Sequence, residues 1–85
     1  MKELTFEKYG GLCDEIIRGR RVVIDDFVWF DGCYFIDCEL IFKNPEATSI
    51  WLRDCEITGC DINLEWSVFW KMIFGNTGAS IELSS

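Results

Sequence analysis

From Val28 to Leu64 the apolar residues recur neither every 3.6 positions, as on a helix, nor at every second position without a break, as in a long strand. They recur in fives. The first run is Val28-Trp-Phe30-Asp-Gly, Cys33-Tyr-Phe35-Ile-Asp, Cys38-Glu-Leu40-Ile-Phe, and the second is Ile50-Trp-Leu52-Arg-Asp, Cys55-Glu-Ile57-Thr-Gly, Cys60-Asp-Ile62-Asn-Leu. In every block the first position is Cys, Val or Ile and the third is Phe, Leu or Ile. Two inward residues flanking one outward residue make a short strand, and the next two, often Asp, Gly or Asn, turn the chain at a corner.

The runs start at Val28 and Ile50, so the pattern returns after 22 residues, with Lys43-Asn-Pro-Glu-Ala-Thr-Ser49 as a looser fourth side. Stacking one pass on the next pairs Val28 with Ile50, Phe30 with Leu52, Cys33 with Cys55, Phe35 with Ile57, Cys38 with Cys60 and Leu40 with Ile62. Like then lies on like down every inward column. The predicted fold class is mainly β with a flanking helix. A short β-helix of stacked strands is expected, with a small twisted sheet sandwich built from the same strands as the alternative.

The blocks Cys33-Tyr-Phe35-Ile-Asp37, Cys38-Glu-Leu40 and Cys60-Asp-Ile62-Asn resemble the pentapeptide-repeat proteins, whose unit has a small residue, then often Asp or Asn, then Leu or Phe, then two variable residues. The resemblance covers residues 22–64, about half the chain, and implies a degenerate relative of about two coils. It departs from the family pattern in its seven-residue loop, its bulkier first positions and its few repeats.

A short stack exposes unpaired strand edges and needs caps. One domain over 1–85 is expected: an N-terminal cap at 1–21, a repeat core at 22–64, a capping helix at 64–75 and a tail at 76–85. The helix is predicted over Leu64–Phe74, with Asn63 or Asp61 as N-cap and Gly75 as the stop. It is apolar nearly all round, so Trp66, Phe69, Trp70 and Ile73 are expected over the core, with the remainder facing a second copy. Asn76-Thr-Gly78 reads as a turn and Ile81-Glu-Leu83 as a last strand. At the other end Leu12–Ile17 reads as a short helix ending at Gly19, leading through Arg20-Arg21 into strand Val22-Val23-Ile24.

Composition narrows the function. The chain has 85 residues, is 49% apolar, carries fifteen acids against eight bases and has no histidine. That leaves room for one domain and excludes a disordered acidic chain. No apolar run reaches the roughly 18 residues of a membrane span, and Met1-Lys2-Glu3-Leu4 does not read as a signal peptide. The net charge of −7 argues against direct nucleic-acid or anionic-lipid binding. Its placement is uneven. Residues 1–24 hold four acids and five bases, residues 25–65 hold ten acids and two bases, and residues 66–85 cancel.

Without histidine there is no Ser-His or Cys-His nucleophile pair, so Cys13 has no base and no catalytic residue is assigned. Cys33-x4-Cys38 and Cys55-x4-Cys60 have a spacing seen in tetrathiolate zinc sites. Val28 and Ile50 fill the same slot in sister blocks, which favours inward structural thiols, so neither a metal nor another cofactor is expected; a zinc-bound adaptor is the third-ranked reading. An odd cysteine count and the absence of a leader point to a reducing bacterial cytoplasm rather than to disulfides. Glu39 stacked over Asp61 is a carboxylate pair of the glycosidase type, but solvated carboxylates on a flank with no cleft do not make an acid–base site, and no enzyme is expected.

The outward columns carry the functional expectation. Trp29 would stack on Trp51, Asp31 beside Arg53, Tyr34 over Glu56 and Glu39 over Asp61. Like charges at strand spacing cost stability unless offset, which suggests a surface selected for its field. The leading expectation is a small, acidic, non-enzymatic protein that binds another protein at a basic nucleic-acid surface. Asp31, Asp37, Glu39, Asp54, Glu56 and Asp61 would stand in for phosphates, with Trp29, Tyr34 and Trp51 as anchors. The resemblance supplies the idea of mimicry: some pentapeptide-repeat proteins are DNA mimics, and small acidic phage inhibitors of host defence, anti-CRISPR proteins among them, use the same device. The alternative is a structural module that forms homodimers through Trp66, Trp70 and Phe74 on the apolar helix.

Overall fold

The structure is a computed structural model that describes residues 3–83; the first two residues of the expected cap and the last two of the expected tail lie outside it. Eleven strands and one helix follow one another as β1 (Glu3–Phe6), β2 (Gly10–Cys13), β3 (Ile16–Arg18), β4 (Arg21–Ile24), β5 (Phe27–Asp31), β6 (Tyr34–Ile36), β7 (Glu39–Phe42), β8 (Ser49–Arg53), β9 (Glu56–Ile62), α1 (Trp66–Met72), β10 (Ile73–Thr77) and β11 (Ser80–Leu83). Every pairing is parallel, and the strands form a curled seven-stranded sheet and a four-stranded sheet.

The chain distributes its strands over three stacks in rotation. The first stack is β1, β4, β7 and the end of β9; the second is β2, β5, β8 and β10; the third is β3, β6, the start of β9 and β11. β9 belongs to two stacks because it bends at Gly59, whose φ is +65°. The outward and inward register agrees with the 22-residue reading: Val28 pairs with Ile50, Trp29 with Trp51, Phe30 with Leu52, Tyr34 with Glu56, Phe35 with Ile57, Glu39 with Asp61 and Leu40 with Ile62.

Each corner needs a left-handed residue, and this selects the corner chemistry. Asp14, Gly32, Asp54 and Gly78 hold successive levels of one corner at φ of +51°, +69°, +51° and +69°. Gly19, Asp37 and Gly59 hold the next corner at +58°, +53° and +65°. Glycine has no Cβ to clash in this region, and Asp or Asn tolerates it better than other residues do. Aspartate therefore recurs at the corners for a backbone reason before any functional one.

The core is one apolar cluster running the length of the stacks, with Val22, Val28, Phe30, Phe35, Leu40, Phe42, Ile50, Leu52 and Ile57 among its buried members. Only about 10 Å³ of free volume remains inside it. The rings of Phe6, Phe30 and Phe35 pack edge-to-face, with centroids 5.1 and 4.9 Å apart. Four of the five cysteines are buried, and each thiol donates to a backbone carbonyl one level down: Cys33 to Leu12 at 3.2 Å, Cys38 to Ile17 at 3.3 Å, Cys55 to Phe30 at 3.3 Å and Cys60 to Phe35 at 3.3 Å. A small residue with a weak donor suits that slot better than valine does.

Three expectations are corrected. The N-terminal segment is not a helix. Residues Gly10–Cys13 and Ile16–Arg18 are strands, because Leu4, Phe6, Leu12 and Ile17 sit 18 residues before Val22, Ile24, Phe30 and Phe35 and make a further pass of the same stacks. The fourth side exists only between β7 and β8, where Pro45–Ala47 forms one 3-10 turn; earlier passes close with 18-residue spacing and no such insert. The helix is shorter than expected, Trp66–Met72, and extends into β10 rather than stopping at Gly75.

Its N-cap is Glu65, not Asn63 or Asp61. Asn63 instead pairs with the top of β7: the Phe42 amide donates to its Oδ1 at 2.9 Å, and its Nδ2 donates to the Phe42 carbonyl at 3.2 Å. One side chain thus stands in for the next strand. Phe69 and Met72 close the core, with Phe69 against Phe42 at 5.8 Å between centroids, whereas Trp66 and Trp70 remain 42% and 44% exposed. A seven-residue helix seats one narrow stripe, and Phe69 and Met72 occupy it.

Candidate interaction surface

On the outer face of the four-stranded sheet, Gly11, Trp29, Trp51 and Gly75 stand in register. Each tryptophan lies across the glycine beside it: a Cβ on Gly11 would come within 2.2 Å of the Trp29 ring, and one on Gly75 within 2.3 Å of Trp51. Trp29 Nε1 also donates to the Tyr9 carbonyl at 3.0 Å. Both indoles are half-buried, under the N-terminal and C-terminal passes respectively. Beside them runs a second aromatic row: Tyr9 lies 5.2 Å from Phe27, and Phe27 lies 5.0 Å from Phe74. Tyr9 and Phe74 are exposed. The five-residue register missed Tyr9 and Phe27 as surface residues; the 18-residue repeat of the first pass is the signal that finds them.

The acids fall into two groups. Asp37, Glu39 and Asp61 surround the corner that leads into the first stack, and Asp31, Asp54 and Glu56 surround the corner between the second and third stacks. Tyr34, exposed on β6, lies in register with Glu56 and so belongs to the second group. Trp29 and Trp51 lie on the face next to it. Glu39 is not simply stacked on Asp61. Its outward row reads Glu3, Arg21, Glu39, Asp61, and Arg21 Nε donates to Glu39 Oε1 at 2.6 Å. That contact, with the attraction of the carboxylate, raises the Arg21 guanidinium further above its usual value. Both groups are exposed, so the pair adds little to stability. It does offset the repulsion expected between Glu39 and Asp61.

Glu56 accepts the Thr58 hydroxyl at 3.1 Å, and the Arg53 guanidinium lies 3.7 Å from Asp54, beside the corner. Asp37 Oδ1 and Asp54 Oδ1 overlie Gly59 and Gly78, where a Cβ would come within 2.5 and 2.6 Å. These two acids are therefore fixed by the backbone as well as presented to solvent.

The inward thiols are chemically quiet. Burial pushes the Cys33 and Cys55 thiols up and the Cys60 thiol up to about 11, so these three stay protonated at neutral pH. Cys13 is exposed. Among the described residues no three Cys, Asp or Glu side chains converge as a metal site would require, and no helix is long and apolar enough to cross a membrane.

No protein-family model matches the chain, and no curated protein matches it. The functional reading therefore rests on the residues themselves.

Proposed function

We propose that the stacked strands form a short β-helix of the pentapeptide-repeat kind and that the protein is a non-enzymatic acidic binding protein. It occupies a basic nucleic-acid site on another protein in the cytoplasm of a bacterial host, in the manner of an anti-CRISPR or similar anti-defence inhibitor. The observation that carries this reading is the mounting of the acids. Asp31, Asp37, Glu39, Asp54, Glu56 and Asp61 project from two corners of a hydrogen-bonded strand frame rather than from loops. Levels of such a frame lie about 4.8 Å apart, a spacing of the same order as the roughly 3.4 Å axial rise of phosphates along one DNA strand.

A rigid mount lowers the entropy lost when the acids meet a basic groove. The carboxylates accelerate association, while Tyr34 and the exposed edges of Trp29 and Trp51 slow release. The test is capture of partners on immobilised protein at low and high salt, followed by elution with duplex DNA. The reading expects a basic protein that is retained at low salt, lost at high salt and displaced by the DNA. Retention that ignores both salt and DNA contradicts it.

A second reading is favoured by one observation: Trp66, Trp70 and Phe74 are all exposed large apolar side chains, and Trp66 and Trp70 stack with centroids 6.2 Å apart. On that reading the helix is a homodimer interface and the acidity serves solubility. Conversion of a dimer to a monomer by Trp70→Glu, read by light scattering, tests it.

A further inference from the structure

The two ends of the strand stacks are finished differently. At the C-terminal end α1 replaces a strand in the first stack and drives Phe69 and Met72 into the core. At the N-terminal end β1, β2 and β3 are the outermost strands of their stacks, and among the described residues nothing pairs with their outer edges. Beneath them opens a recess of about 290 Å³, walled by Leu4, Phe6, Leu12, Ile16, Ile17 and Arg20. Ile16 is 61% exposed there. In the same wall, Arg20 Nε is buried without a hydrogen-bond partner among the described residues. An apolar recess, a row of unpaired strand edges and an unsatisfied buried donor at one place describe a surface finished by another strand-bearing surface.

We infer that this end is a two-fold interface with a second copy of the chain. Charge selects that occupant. Residues 1–24 carry four acids and five bases, whereas residues 25–65 carry ten acids and two bases. Two copies therefore meet with least repulsion through their N-terminal ends. The mixed signs there are self-complementary: Glu3, Glu7 and Glu15 of one copy face Arg18, Arg20 and Lys8 of the other as readily as the reverse. The helix at the far end prevents the same edge from adding copies head to tail, so the assembly closes as a dimer instead of growing into a fibre.

A molecule measuring 26 × 23 × 22 Å offers on the order of 400 Å² per copy at one end, roughly 800–900 Å² in total, which lies at the low limit for a specific interface. The dimer is accordingly weak, forming at about 10–100 µM. It uses a different face from the acids and from the apolar helix.

Light scattering over a concentration series tests the inference. The unmodified chain should rise from 9.9 kDa towards twice that mass as its concentration passes the tens of micromolar range. Ile16→Glu sets a carboxylate on the exposed rim without touching the core and should stay monomeric. Arg20→Gln should weaken the dimer by several-fold, and Trp70→Glu should leave it unchanged. A monomer that persists to about 500 µM overturns the inference. So does a dimer that survives Ile16→Glu, or one that Trp70→Glu abolishes.

Discussion

The left-handed corners give the sharpest test of how this chain is built. Gly19 and Gly32 occupy neighbouring corners at φ of +58° and +69°, but their surroundings differ. A Cβ on Gly19 would meet nothing within 4 Å, whereas one on Gly32 would come within 2.4 Å of Asp14 Oδ1. Gly19→Ala therefore measures backbone strain alone. A left-handed L-residue costs about 1–2 kcal/mol, and stiffening of the unfolded chain returns a few tenths, for a net loss of about 1 kcal/mol. Gly32→Ala adds displacement of the Asp14 carboxylate to an off-rotamer position, worth about 1 kcal/mol, for a total of about 2 kcal/mol.

In an Asp14→Gly background the carboxylate is gone, and Gly32→Ala should fall back to about 1 kcal/mol, a coupling of about 1 kcal/mol between the two levels. Urea unfolding followed by tryptophan fluorescence reads these differences, and in a domain of this size 1 kcal/mol moves Tm by about 4–8 °C. Equal costs for Gly32→Ala with and without Asp14 would refute the stacked-corner geometry. A cost under about 0.3 kcal/mol at both glycines would refute the left-handed corners themselves.

Phe69→Ala should cost about 3–4 kcal/mol, because its ring closes the core against Phe42, and thermal unfolding checks this. Asn63→Ala leaves both the amide and the carbonyl of Phe42 unpaired and should cost about 1–2 kcal/mol, with faster amide exchange at Phe42. A thiol reagent should find one reactive cysteine, Cys13, in the folded protein and all five only after unfolding. The buried thiols are held above their ordinary value near 9, so the folded state binds more protons than the unfolded state in that window. Stability should thus be complete below about pH 9 and decline as pH rises towards the Cys60 value of about 11, a trend that Cys60→Ala reduces.

Much of this fold was legible because its inward positions are apolar and its corner positions are small or acidic. The register of Trp29 on Trp51, Tyr34 on Glu56 and Glu39 on Asp61 follows from spacing alone. The N-terminal pass was not legible at a period of 22, because β1 to β3 return after 18 residues and carry Gly10, Glu15 and Arg20 where later passes carry Val28, Cys33 and Cys38. Gly10-Gly11 reads locally as a break, yet Gly11 is present because the Trp29 ring needs its space. The apolar helix suggested four residues over the core. A helix of seven residues can turn only one stripe inward, so its two tryptophans stay partly outside.

The acid surface divides in the same way. Asp26, Asp37 and Asp54, three of the ten acids in the middle segment, occupy left-handed positions that a turn of this kind reserves for Gly, Asn or Asp. Of those residue types only Asp carries charge, so the backbone restricts the choice and the charge is a further selection. Glu56 and Asp61 stand on strands, where no such restriction applies.

That division allows the charge to be removed while the fold is kept. Asp37→Asn and Asp54→Asn retain corner-compatible side chains, and Glu56→Gln with Asp61→Asn retains the strand surface, so the fourfold variant should unfold within a few degrees of the parent. Its affinity for the DNA-displaceable partner is the most direct measurement of the proposed role. Mimicry predicts a loss on the order of 100-fold at low salt, with most of the salt dependence gone. Undiminished, equally salt-sensitive binding by the neutralised protein would contradict it.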